Sequence, residues 1–189
     1  MPRREIYVSC DVETDGPVPW PYSMLQLGAA AFRPGGEMIS TFSANLRELE
    51  GGKKHEETMR FWSENQALYD ATRENLEGPE EAMLRFDAWL ADLPGAPVFV
   101  AYPAGFDFTF VYWYLINFVG ASRFSHSALD IKTLAMVAMR STYRGASKSR
   151  MPASWFSPAP HTHVAVEDAI EQGELFFNIL RSLDLEPAS

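Results

Sequence analysis

Apolar residues fall along this chain in two rhythms, and their succession sketches a fold. Residues 5–12, Glu5-Ile6-Tyr7-Val8-Ser9-Cys10-Asp11-Val12, are rich in β-branched and aromatic side chains and predict a strand. A Gly/Pro-rich loop follows, from Gly16 to Pro21. Residues 24–33 and 37–46 read as a hairpin joined near Pro34-Gly35-Gly36, and Gly51-Gly52 closes this β section. The pattern turns helical over 56–93, where Ala82, Phe86, Trp89 and Leu93 recur at three- and four-residue spacing. Pro94-Gly95 stops that helix. Residues 97–102 predict a short apolar strand, 106–119 a helix and 130–140 another. The stretch 141–161 is loop-like, with Gly145, Pro152, Pro158 and Pro160, and 163–183 forms a closing amphipathic helix. Three strands, then helices alternating with short strands, predict an α/β protein with a mixed sheet flanked by helices.

Composition narrows the class. A length of 189 residues suits one domain with a full core, and no repeat or long linker divides it. Hydrophobic residues at 47% and charged residues at 22% are ordinary for a globular domain and argue against disorder. The single cysteine, Cys10, excludes an intrachain disulfide and sets a cytoplasmic location as the expectation. Residues 1–5 lack the apolar stretch of a signal peptide, and no run approaches the ~20 apolar residues that span a bilayer. The net charge of −9 argues against long-range attraction to duplex DNA. It is compatible with an enzyme that grips one strand end.

Three motifs carry chemistry. In Asp11-Val12-Glu13-Thr14-Asp15-Gly16, side chains two apart on a strand share a face, so Asp11 and Glu13 point the same way. Two adjacent carboxylates repel unless a proton or cation lies between them, and hard oxygen ligands suit Mg²⁺ or Mn²⁺. The opening of an EF-hand loop also fits these residues. Its twelfth position would be Tyr22 rather than a carboxylate, and a strand rather than a helix precedes it, so that reading is set aside. The second motif, Tyr102-Pro103-Ala104-Gly105-Phe106-Asp107, puts Asp107 at the start of a helix, where an acid also offsets the helix dipole. The third is His163-Val164-Ala165-Val166-Glu167-Asp168. Residues five apart lie ~140° apart on a regular helix. His163 and Asp168 therefore converge only if His163 sits on the loop ahead of the helix. His161 lacks that register.

Taken together, the order and spacing of these motifs resemble the DEDD exonuclease superfamily, in its histidine-bearing DEDDh branch. The matching residues are Asp11, Glu13 and Thr14, then Phe106-Asp107, then His163, Ala165 and Asp168. Asp130-Ile131-Lys132-Thr133-Leu134 and the strand Met24-Leu25-Gln26-Leu27-Gly28-Ala29 also resemble family segments, so the likeness spans residues 5–183. The chain departs from the family at Tyr102-Pro103-Ala104, where His-Asn-Ala is usual, and at Asp15, where many relatives carry Thr. Asp15 is expected to add a carboxylate near the metals. The resemblance implies a ribonuclease H-like sheet of about five strands and a metal-dependent 3′–5′ exonuclease that releases 5′-nucleoside monophosphates from single-stranded DNA or RNA. It implies two ions, Mg²⁺ or Mn²⁺. Asp11 bridges both, Glu13 and Asp168 complete one, and Asp107 serves the other. Two ions ~4 Å apart can clamp the attacking and leaving oxygens of an in-line displacement. His163 accepts the proton of the attacking water. Two other functions share the fold: a nucleic-acid-binding module without turnover, and a ribonuclease H-type endonuclease. The second leaves His163 unexplained.

Substrate contacts are less defined. The resemblance places backbone groups near Thr14 against the terminal nucleotide. Met24 is either a wedge between the last bases or a core methionine. Trp62 either stacks on a base or packs in the core. The span from Ile131 to Val166 contains no acid and holds Lys132, Arg140, Arg144, Lys148 and Arg150. Arg144, Lys148 and Arg150 are expected to contact phosphates upstream of the cut, the alternative being a basic loop that balances nearby acids. Residues 106–119 are apolar nearly all round, which predicts burial by a neighbouring helix or by the partner of a homodimer.

Overall fold

A computed structural model describes residues 4–157 and 162–185. Its centre is a five-stranded mixed sheet of order β3-β2-β1-β4-β5. The strands are β1 (Glu5–Thr14), β2 (Met24–Phe32), β3 (Met38–Asn45), β4 (Ala96–Ala101) and β5 (Ala128–Asp130). β1 pairs antiparallel with β2 and parallel with β4; β4 pairs parallel with β5. The helices are α1 (Glu56–Glu64), α2 (Gln66–Ala71), α3 (Pro79–Ala91), α4 (Ala104–Phe118), α5 (Ile131–Ala138) and α6 (Ala165–Ser182).

The pleat of β1 sorts its residues between two layers. Ile6, Val8, Cys10 and Val12 enter a core with Phe86 of α3 and Phe110, Val111 and Leu115 of α4. Tyr7 enters a second core with Ile131 of α5 and Leu175, Phe176 and Ile179 of α6. Burial on both faces explains why β1 and β2 read as nearly continuous apolar runs. All nine residues of β2 are buried.

The sequence pattern differs from the structure at two places. The helical stretch 56–93 is three helices, because residues 72–78 swing back to the sheet, where Leu46 forms an isolated bridge with Glu77. Asp130 does not begin a helix but ends the three-residue β5 and caps α5, accepting a hydrogen bond from Thr133 N at 2.8 Å. On α4, the inner residues Phe110, Val111, Tyr114 and Leu115 are buried. Its outer residues Phe108, Tyr112, Trp113 and Ile116 line a shallow surface groove of about 330 Å³. Among the described residues, no helix is long and apolar enough to cross a membrane.

Candidate active site

Three connections meet at the carboxyl edge of the parallel strands, which is where open α/β sheets bind ligands. β1 supplies the first two carboxylates. Its ladder with β4 ends at Ser9↔Val100, while its ladder with β2 continues to Thr14, so β1 carries Asp11 and Glu13 past the last residue of β4 that pairs with it. The backbone N–H of Val12 donates to Asp107 Oδ1 at 3.1 Å, which fixes the third carboxylate against the strand.

Asp107 stands in the first turn of α4, and the turn before it is held by side chains. Pro103 has no N–H. On either side of it, Tyr102 N–H donates to Gln172 Oε1 at 2.7 Å and Ala104 N–H donates to Asp130 Oδ1 at 2.9 Å. Thus the departure from the family motif at Tyr102-Pro103 coincides with a turn braced from α6 and from β5.

α6 brings the last two groups, and β2 seats it. A Cβ on Gly28 would lie 2.1 Å from the backbone of Ala165 and Val166, so only glycine lets the helix start lie this close to the strand. Gln26 accepts a hydrogen bond from Ala165 N–H at 2.8 Å, satisfying one of the orphan donors at the helix start. His163 precedes the helix in a left-handed backbone conformation, φ 55°, a region where His is enriched among non-glycine residues. With that turn, His163, Asp168 and Glu13 bring one ligand atom each into a group whose members all lie within 4.8 Å of one another.

The five expected residues therefore line one open cleft of about 550 Å³, together with Lys148 and Gln172. Crowding has an electrostatic consequence. Asp11 is pushed up to about 7, first by loss of water and then by the charge of Asp168. Glu13 is pushed up to about 8 by burial and by Asp11 and Asp168. Burial and Asp11 likewise raise Asp107. Carboxylates that resist ionisation together are a donor set matched to a hard divalent cation, and the residues present fit one.

Other expected residues fall elsewhere. Met24 is fully buried in the core. Trp62 is 2% exposed and donates its indole N–H to Thr14 O at 2.9 Å, so its ring is packed rather than offered to a base. Thr14 is buried, its carbonyl taken by Trp62 and its hydroxyl donated to Gly16 O. Asp15 does not line the cleft. It turns into the loop and accepts from Ser23 N–H. Of the basic residues, Lys148 lines the cleft and pairs with Glu171 at 3.3 Å, while Arg144 and Arg150 are exposed and lie outside the cleft lining. His161 lies outside the described residues.

Sequence reasoning missed Phe61 and Gln172. Phe61 is 41% exposed and its ring centroid lies 6.0 Å from that of His163. Adjacent helical positions cannot face the same way, so in Phe61-Trp62 one ring had to point out.

The fold and this cleft define a class. The chain belongs to the DEDDh family of 3′–5′ exonucleases. It is similar to the 3′–5′ DNA exonuclease Cap18 of Escherichia coli, at 33% identity over 180 residues, 92% of this chain and 90% of the relative. In structure it resembles the nuclease domain of 3′hExo, a DEDDh family member, bound to rAMP, with a TM-score of 0.64 at 9% identity over 94% of this chain and 91% of the other. It also resembles the Mg²⁺- and Mn²⁺-bound form of Pop2p from S. pombe, with a TM-score of 0.58 at 14% identity over 92% and 82% of the two chains. No family model matches the sequence.

Proposed function

We propose that this chain is a single exonuclease domain that removes 5′-nucleoside monophosphates from the 3′ end of single-stranded DNA, using two Mg²⁺ or Mn²⁺ ions. The observation that carries the metal reading is the convergence of Glu13, His163 and Asp168 within 4.8 Å beside the part-buried Asp11 and the buried Asp107. Asp11, Glu13 and Asp168 would hold one ion, and Asp11 and Asp107 the other. When bound, such ions activate water and neutralise charge on the transferring phosphate. His163, which lines the same cleft, would accept a proton from the attacking water. Lys148, held by Glu171, offers its ammonium to a phosphate oxygen. Phe61, exposed beside His163, offers the ring face that Trp62 does not. The name of the Cap18 relative favours DNA, and the rAMP bound to 3′hExo is a nucleoside monophosphate of the product's kind.

The outer groove of α4 keeps the expectation of a homodimer physical, since Tyr112, Trp113 and Ile116 are the side chains a second copy would cover. The single cysteine is consistent with a cytoplasmic setting.

Digestion of matched end-labelled DNA and RNA strands with Mn²⁺ tests the reading. DNA should be shortened from its 3′ end with release of 5′-mononucleotides, and a 3′-phosphate block should stall the reaction. Internal cutting of the blocked strand would show an endonuclease, and an untouched free strand would show a binding module.

A further inference from the structure

Gln172 is 2% exposed and lies on α6 one turn beyond Asp168. Its side chain makes two hydrogen bonds. Oε1 accepts from Tyr102 N–H at 2.7 Å, and Nε2 donates to Asp11 Oδ1 at 2.6 Å. The orientation of the amide is fixed by chemistry. A backbone N–H can only donate, so the carbonyl must face Tyr102, and the NH₂ is left to face Asp11. One amide thus ties together the first strand, the turn that carries Asp107 and the last helix.

From this arrangement we infer that Gln172 is a positioning residue for the metal centre. It holds one oxygen of Asp11 so that the other is presented to the cations, and it registers Asp11 against the Tyr102 turn. The inference rests on the metal-dependent reading of the cleft. Its physical basis is that a donor fixed on the far side of a ligating carboxylate restricts its rotation. Loss of such a partner generally costs about 10- to 100-fold in metal affinity or activity.

The test uses the full chain, with Mn²⁺ as the probe. Gln172→Met keeps the shape and removes both hydrogen bonds. Gln172→Glu keeps the acceptor for Tyr102 and replaces the donor to Asp11 by a like charge. Mn²⁺ is titrated without substrate, following the rise in melting temperature, and then with a labelled oligonucleotide, following kcat and KM. Gln172→Met is expected to need about tenfold more Mn²⁺ or above for the half-maximal rise in melting temperature, with KM for the oligonucleotide within about twofold of wild type. Gln172→Glu is expected to fold and to lose about tenfold or more in kcat at saturating Mn²⁺, again with little change in KM. Wild-type Mn²⁺ half-saturation and kcat in the two variants, even with a lowered melting temperature, would reduce Gln172 to a structural brace and overturn the inference alone. If Gln172→Met does not fold, Gln172→Glu decides by itself. A wild-type protein whose melting temperature ignores Mn²⁺ would overturn both this inference and the reading of the cleft.

Discussion

At the scale of single residues, the cleft stores repulsion that a bound cation would relieve. In the metal-free protein Asp11 and Glu13 hold protons up to about 7 and about 8, against ordinary values of 3.8 and 4.5. Below their unfolded values both states are protonated, and the groups leave stability unchanged. As pH rises through the window between those values, the unfolded chain has released protons that the folded chain still binds, so stability falls. In a chelator, the melting temperature should therefore drop between about pH 5 and about pH 8, and Mn²⁺ should remove most of that drop. Asp11→Asn should raise the melting temperature in chelator at the upper pH, abolish activity and cancel the response to Mn²⁺. An unchanged metal response would sink the assignment of Asp11. His163→Ala should cost about 10²- to 10⁴-fold in kcat, the usual worth of a general base, and His161→Ala far less. Equal losses would place the base elsewhere.

Elements decide whether those residues meet. The start of α6 depends on β2, through Gly28 beneath Ala165 and Gln26 at its first N–H. Gly28→Ala must push the helix away, and displacements near 1 Å cost about 10²-fold in well-aligned active sites. We expect a loss of that order in kcat, with His163 and Asp168 chemically intact. Gly35→Ala is the control, since nothing lies within 4 Å of its added Cβ. Comparable activity in the two variants would show that α6 tolerates the shift. The elements also show what a sequence can convey. β1, β2, α4 and α6 were legible because each is long for its type: β1 and β2 are near-continuous apolar runs ended by turn residues, α4 is an apolar stretch too long for a strand, and α6 is amphipathic. The Asp11/Glu13 pair was legible because strand alternation alone puts both on one face. β5 was not, because three residues are too few to show a period, and Asp130 serves as strand end and helix cap at once. Gln172 was hidden because its two partners lie 70 and 161 positions away along the chain. Met24 and Trp62 went to the core because β2 is covered on both faces and α1 turns only one of its two neighbouring rings outward.

At the scale of the whole molecule, the question is how a protein of net charge −9 holds a polyanion. Lys148 lies in the cleft, and Arg144 and Arg150 stand exposed on the stretch that leads to it. A local positive run on an acidic body guides a strand end to one place and repels it elsewhere. Replacing Arg144 and Arg150 by Ala should weaken binding of a single strand and flatten its salt dependence, by roughly 0.7 in slope per lost contact. Hydrolysis of a small chromogenic phosphodiester should barely change in that double variant, whereas Lys148→Ala should slow it. An unaltered salt slope in the double variant would remove this stretch from the path of the strand.

The cleft draws on Asp11 and Glu13 from the first strand and on His163 and Asp168 from the last helix. A ribosome adding about 5–20 residues per second separates those two ends by on the order of ten seconds. During that time β1 and α4 can be in place while the histidine and the fourth carboxylate do not yet exist. A growing chain tethered to its own messenger therefore has no competent centre. On the proposed assignment, the five groups meet only when α6 comes to rest over Gly28, so the order of the elements would set the earliest moment of hydrolysis.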